Sequence, residues 1–190
     1  RSLVGSEMCI RDRQLFGRDI LTNYGEININ GYVNIGPNYD LEFSNWGAGE
    51  PNNSPPPENA AEIVNSYGKW NDANENNIQD SYVEYEGEIT SLGDFVYLGQ
   101  FAGHSYFRNT QDLNWLDAKQ AAENLGGYLA SIHTSEESSE ITSFGFFRGW
   151  IGLYQDIDDS NYCERSGTWK WVSPTFFNET EYDSLKVQLL

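Results

Sequence analysis

The sequence predicts an α+β fold in which short strands and two short helices surround one long irregular loop. Three observations point there. Several runs of five to nine residues alternate apolar and polar positions, which is the period of a half-buried strand. One segment carries helical spacing with a stop signal, and a second carries a helix start signal. Residues 37–80 are dominated by Asn, Pro, Gly and Ser, yet Trp46, Ile63, Val64 and Trp70 interrupt them. Disordered segments are poor in such residues, so the stretch is expected to pack as a functional loop. An aromatic content of 15% with 18 Gly also favours strands and tight turns over a helical bundle.

In chain order, "ININGYVNI" (27–35) alternates and reads as a strand, and "SYVEYEG" (81–87) alternates again. "TSLGD" (90–94) turns the chain into a second strand region, "FVYLGQFAGHSYFRN". In "LNWLDAKQAAENLGG", Trp115, Ala118, Ala122 and Leu125 recur at helical spacing, and Gly126-Gly127 supplies the stop. "YLASI" is a short strand or extended turn. Thr134 stands three residues before Glu137, a capping-box signature opening a shorter second helix. "GWIGLYQ" and "GTWKWVS" close the pattern as strands, the tryptophans of the second one packing inward.

The chain carries 11 basic and 29 acidic residues, a net charge of −18. That field disfavours nucleic acid and anionic membranes as partners and suits cations. No apolar run approaches the roughly 20 residues that span a bilayer, so no membrane insertion is expected. Residues 1–13 include "LVGSEMCIRD", which resembles the translation of a transposase adapter used in sequencing libraries. They are set aside as adapter-derived, and "KVQLL" (186–190) reads as a truncated end. Of the two cysteines, Cys9 lies in the set-aside segment, leaving Cys163 with no internal partner. Something other than a disulfide must order the long loop.

That loop is written "GEPNNSPPPENAAEIVNSYGKWND" (49–72), with acids and carboxamides around four prolines. Calcium takes about 6–8 oxygens, mainly from carboxylates, amide carbonyls and water, and the donor types present are of that kind. The bland alternative is a solvated acidic loop. An X-Pro bond gives up most of the trans preference, so a cis Glu50–Pro51 bond is accessible and would turn the Glu50 and Asn52 oxygens toward one point.

Taken together, "FSNWGAGEPNN", "ENAAEIV", "GKWND" and "YVEYE", followed by "HSYF", "GGYLASI", "SEE", "WIGL" and "GTWKWVS", resemble C-type lectin-like domains in two incomplete copies. The resemblance implies that residues 14–88 form the back half of one domain and residues 95–185 the front half of a second, joined by a linker turn at 89–94. In that fold the first and last strands lie side by side. Tyr82–Tyr85 is therefore expected to form a hairpin with Phe95–Gly103, closing the halves as one circularly permuted domain with small antiparallel sheets. Glu50, Asn52, Glu58, Asn71 and Asp72 match the ligand positions of the family's sugar-binding calcium site, with Pro51 and Trp70 as structural support. Two vicinal sugar hydroxyls would give lone pairs to Ca2+, donate protons to Glu50 or Glu58, and accept from the amides of Asn52 or Asn71. Glu-Pro-Asn implies mannose-, glucose- or fucose-type hydroxyl pairs. A second calcium is not expected, because Asn53 and Asn59 stand where some members carry acids. Ala60, Glu75, Val83 and Ala122 occupy cysteine positions of animal members, so the chain resembles the disulfide-free bacterial type. The implied protein is a secreted or surface adhesion protein with neighbouring repeats, binding a glycan or glycoprotein; the alternative is a protein-interaction module whose calcium is structural or absent.

Other signals are weaker. His104 and His133 have no nucleophile to pair with, so no catalytic role is assigned and the chain reads as a non-enzyme. Glu50 and Glu58 as a glycosidase pair would need an enclosed cleft that an open loop lacks. Asp156 and Asp158 resemble the start of an EF-hand loop, but Asn161 and Gly167 replace its glycine and terminal glutamate. Cys163 reads as an incidental loop thiol, and Asn178-Glu-Thr180 is a glycosylation sequon only in a eukaryotic secretory route.

Overall fold

The structure is a computed structural model and describes residues 41, 43–159, 162 and 168–173. The predicted strand at 27–35, the 1–13 and 186–190 segments, Asn161, Cys163, Gly167 and the 178–180 sequon lie outside the described residues. The elements run β1 (Ala60–Ile63), β2 (Trp70–Ala73), β3 (Gln79–Glu86), β4 (Val96–Phe101), β5 (His104–Leu113), α1 (Trp115–Asn124), β6 (Tyr128–Leu129), α2 (Ser135–Ser143), β7 (Gly149–Gln155) and β8 (Trp169–Trp171).

The strands join in one sheet of order β2-β1-β7-β3-β5-β4, with β6 bonded to β3 and β8 to β7. This corrects the expected small antiparallel sheets: the sheet is single and mixed, because β3 meets β7 in parallel at Ser81 and Trp150. The expected hairpin partner of residues 82–85 is corrected too. Val83, Glu84 and Tyr85 pair with Phe107, Tyr106 and Ser105 of β5, while β4 lies on the far side of β5. Burial explains the choice. β5 carries Ser105, Tyr106 and Phe107, all fully buried, whereas β4 begins with the exposed pair Val96 and Tyr97. The strand with more to bury takes the inner position.

The long loop region also holds regular structure that its composition hides. "NSYG" (65–68) is a turn in which the Asn65 side chain accepts from Tyr67 N at 3.0 Å and Gly68 takes φ +66°. Around it β1 and β2 form a hairpin with Glu62 opposite Asn71 and Ala61 opposite Asp72. β1 then docks antiparallel on β7, about 90 residues later in the chain.

α2 starts at the expected Thr134 cap, and α1 starts at Asn114, which the sequence reading did not single out. The Asn114 side chain caps α1 by accepting from Asp117 N at 2.8 Å, and Thr134 caps α2 by accepting from Glu137 N at 3.0 Å. Only half of the capping box closes, because the Glu137 carboxylate accepts from His133 N (2.7 Å) and Tyr106 Oη (2.8 Å). Gly126, at φ +81°, ends α1 in the left-handed region. Trp115, Ala118 and Ala122 are the buried face of α1, and the Trp115 indole donates to Ile151 O at 2.9 Å. Gly152 is fixed by close approach: a Cβ there would lie 2.5 Å from Leu129 O.

The largest core cluster gathers Ile63, Trp70, Tyr82, Tyr106, Ile132, Ile141, Phe146, Ile151, Leu153 and Trp169 between sheet and helices. It draws on residues both before and after positions 89–94. Val83 and Ala122, at two implied cysteine positions, share a smaller cluster with Leu92 and Phe107.

Candidate functional site

The acidic loop is pinned from two sides. On one side, Trp70 is fully buried and meets Phe43, Trp46 and Trp171 edge-on, with centroids 5.7, 5.7 and 5.5 Å away. Gly47 N donates to Trp70 O at 2.8 Å, and Glu50 N to Gly47 O at 3.1 Å, so the chain turns directly into Glu50. The Glu50–Pro51 bond is cis, as are Ser54–Pro55 and Pro56–Pro57, and Pro51 is buried. On the other side, Asp72 reaches from β2 into the loop. Its Oδ1 accepts from Asn52 N at 2.9 Å and its Oδ2 from Asn53 N at 2.7 Å. The proline run is closed by a reciprocal pair: Ser54 N donates to Glu58 Oε2 at 2.5 Å, and Glu58 N to Asn53 Oδ1 at 2.9 Å.

Glu50, Asn52, Glu58 and Asp72 are thereby linked through one short stretch of chain. The Asn52 amide donates to Glu50 Oε2, which leaves Asn52 Oδ1 buried with no hydrogen-bond partner among the described residues. Asn71 is turned differently. Its amide donates to Glu62 Oε1 at 3.2 Å and to Asp72 O at 2.6 Å, so both amide hydrogens go to protein acceptors. Glu62 is the neighbour of Asn71 that sequence reading missed. Its only signal was the register of a hairpin that the Asn- and Pro-rich composition concealed.

Like charges crowd the loop. Burial, followed by the hydrogen bond and negative charge of Asp72 and the charge of Glu58, raises Glu50 to about 7 despite the opposing Asn52 bond. Burial also raises Glu58; the Ser54 N–H works against this, and Asp72 and Glu62 add to it. Among the described residues no group of three or more Asp, Glu, His or Cys side chains is placed to hold a metal ion. A cation here would therefore also draw on carboxamide oxygens. The donor set fits one on two counts: among the described residues the buried Asn52 Oδ1 lacks the partner such an oxygen requires, and no described cationic side chain pairs with Glu50, Glu58 or Asp72.

The remaining polar groups have structural roles. Glu84, buried in β3, accepts from Tyr128 Oη (3.0 Å) and Ser131 N (3.0 Å) and pairs with His104 Nδ1 at 2.7 Å. Burial and the nearby Glu84 charge raise Glu137; the bonds from His133 and Tyr106 and the charge of His104 oppose this. Burial works to lower His104, but the Glu84 bond and charge, with Glu137 and Glu86, outweigh it and raise the imidazole. At the suspected EF-hand start, Lys170 Nζ sits 2.9 Å from Asp156 and 2.7 Å from Asp159.

No family model matches the chain, and no solved structure matches it significantly. Among curated proteins, it is 32% identical over 80 residues to the type-2 ice-structuring protein of Hemitripterus americanus, covering 42% of this chain and 45% of that protein. It is 33% identical over 75 residues to C-type lectin domain family 4 member M of Symphalangus syndactylus, covering 38% of this chain and 16% of that one. These relatives support a C-type lectin-like domain. A perlucin-like protein of Mytilus galloprovincialis is similar at 26% over 83 residues, 39% of this chain and 47% of that protein. The chain thus spans less than half the length of these relatives. Among the described residues no helix is long and apolar enough to cross a membrane, which says nothing of β-barrels.

Proposed function

We propose that the chain is a calcium-dependent carbohydrate-binding module of a larger secreted or surface protein, acting through the loop at 49–72. The observation that carries this reading is the pinned loop itself, in which Glu50 lies close enough to Asp72 and Glu58 for their charges to raise it, while the adjoining Asn52 Oδ1 is buried with no hydrogen-bond partner among the described residues. Glu50, Glu58 and Asp72 would hold the ion with the carboxamide oxygens of Asn52 and Asn71. A bound calcium would supply the missing countercharge and take lone pairs from two vicinal hydroxyls of a mannose-, glucose- or fucose-type sugar. Glu50 and Glu58 then accept hydroxyl protons, and the second Asn52 amide hydrogen donates to a hydroxyl oxygen. The partner is a glycan or glycoprotein. Binding rather than catalysis suits these groups, since both carboxylates are engaged in holding the loop.

The permuted-domain reading belongs to the same proposal. Strands from 60–86 and from 96–171 interleave in one sheet, and Val83 packs with Ala122 across the linker turn. In a parent protein each half would complete a neighbouring repeat. A second reading, a non-sugar interaction or adhesion module with structural or no calcium, is favoured by the similarity to ice-structuring proteins.

Calorimetric calcium titration of the chain, beside a double variant carrying Asn71→Ala and Glu50→Gln, tests the metal. Saturable binding lost in the variant is the expected result, followed by competition of mannose, fucose and glucose for immobilised glycan in calcium. Folded protein without calcium binding overturns the lectin reading. Calcium binding without any sugar competition leaves the interaction module.

A further inference from the structure

We propose that Glu62 is a positioning residue that orients the Asn71 carboxamide, making Asn71 a metal ligand through Oδ1 and withdrawing it from direct donation to a sugar. The inference rests on the calcium-loop reading. Glu62 and Asn71 stand directly opposite each other in the β1–β2 register, and Glu62 is opposite Trp150 of β7, so its backbone is held on both sides. Its side chain is only 10% exposed, and one oxygen, Oε1, takes an Asn71 amide hydrogen at 3.2 Å. The other oxygen faces Arg148 Nε at 3.8 Å. The second Asn71 hydrogen goes to Asp72 O at 2.6 Å. A primary amide has two hydrogens and one carbonyl oxygen. With both hydrogens committed, Oδ1 is the group left for an ion. Sugar donation then falls to Asn52, which has one amide hydrogen committed to Glu50. The two carboxamides of the loop are therefore not equivalent, although the sequence treats them alike. Outer partners that orient a ligand typically govern metal affinity by about 10–100-fold.

The test uses the full chain. Calcium titrations of wild type, Glu62→Ala, Glu62→Gln and Asn71→Ala are read beside thermal melts in EDTA and the exchange rate of the Asn71 side-chain amide by NMR. Expected are a loss of about 10–100-fold in calcium affinity for Glu62→Ala, near-wild-type affinity for Glu62→Gln, and fast Asn71 amide exchange only in Glu62→Ala. The Gln variant keeps a carbonyl acceptor opposite Asn71, so its rescue separates orientation from charge. Should the alanine variant not fold, Glu62→Val, which suits a strand position, replaces it. Unchanged calcium affinity in Glu62→Ala, with binding lost in Asn71→Ala, overturns the positioning role and leaves the calcium loop intact. Equal losses in the Ala and Gln variants also overturn it, by assigning the effect to charge. No saturable binding by wild type overturns the loop reading and this inference with it.

Discussion

Asp72→Ala should unclasp the loop, and the size of the effect follows from its two bonds. Asp72 is 1% exposed, and its oxygens take the backbone N–H groups of Asn52 and Asn53 at 2.9 and 2.7 Å. Hydrogen bonds to a charged group contribute about 1.5–3 kcal/mol each, so two give about 3–6 kcal/mol. Against this stands the repulsion of Asp72 on Glu50 and Glu58, on the order of 1 kcal/mol apiece in a partly solvated loop. The net loss is about 1–4 kcal/mol, which moves the melting midpoint of a domain this size down by several degrees, on the order of 10 °C at the upper end. The assay is thermal unfolding followed by near-UV circular dichroism, in EDTA so that metal binding cannot contribute. Asp72→Asn, keeping one acceptor and shedding the charge, should fall between wild type and the alanine variant. An alanine variant melting within about 2 °C of wild type would refute the clasp, and would move the ordering of the loop to the Trp70 side alone.

Calcium binding should be proton-linked. Glu50, raised to about 7 by burial and then by Asp72, must ionise to bind an ion, so apparent affinity should drop about tenfold per pH unit below that value. A titration series from pH 8 to pH 5 checks this, and Glu50→Gln should flatten the profile. The buried network predicts a separate alkaline trend in metal-free protein. Glu137 is an acid with its folded pKa raised above the unfolded value, so the folded state binds more protons and stability falls as pH rises between the two. His104, also raised, gives stability that is full below its unfolded value and lost as pH rises through the folded one. The midpoint in EDTA should therefore decline from pH 5 to pH 9, less steeply in Glu137→Gln.

The helices were the most legible part of the fold, because the Thr134 cap, the Gly126 stop and the spacing of Trp115, Ala118 and Ala122 act through neighbours three or four residues away, although the Asn114 cap of α1 was not singled out. β7 and β8 were legible as strands from "GWIGLYQ" and "GTWKWVS", short runs rich in aromatic and apolar residues. The β1–β2 hairpin was not: four-residue strands bounded by Asn, Ser and Lys give too short a period to register, and they exist because β7 shelters Ala60 and Ile63. The partner of β3 was misassigned for a related reason. Alternation marks β4 and β5 alike, and only the buried bulk of Tyr106 and Phe107 decides which lies inside. At the loop, residue identity and the cis-accessible proline were readable. The split between Asn52, with its carbonyl orphaned, and Asn71, tied to Glu62, depends on register and was not.

The docking of β1 on β7 has a kinetic side. Ile63 must wait for Gly149 before its strand gains a neighbour on that edge, and at about 5–20 residues per second of synthesis the wait lasts several seconds or more. During it a two-stranded ribbon carrying Ile63 and Trp70 stands with one edge open, the situation in which nascent chains mispair with copies of themselves. The acidic loop beside that ribbon gives every emerging chain the same sign of charge, so it would guard the ribbon from self-association before the sheet closes.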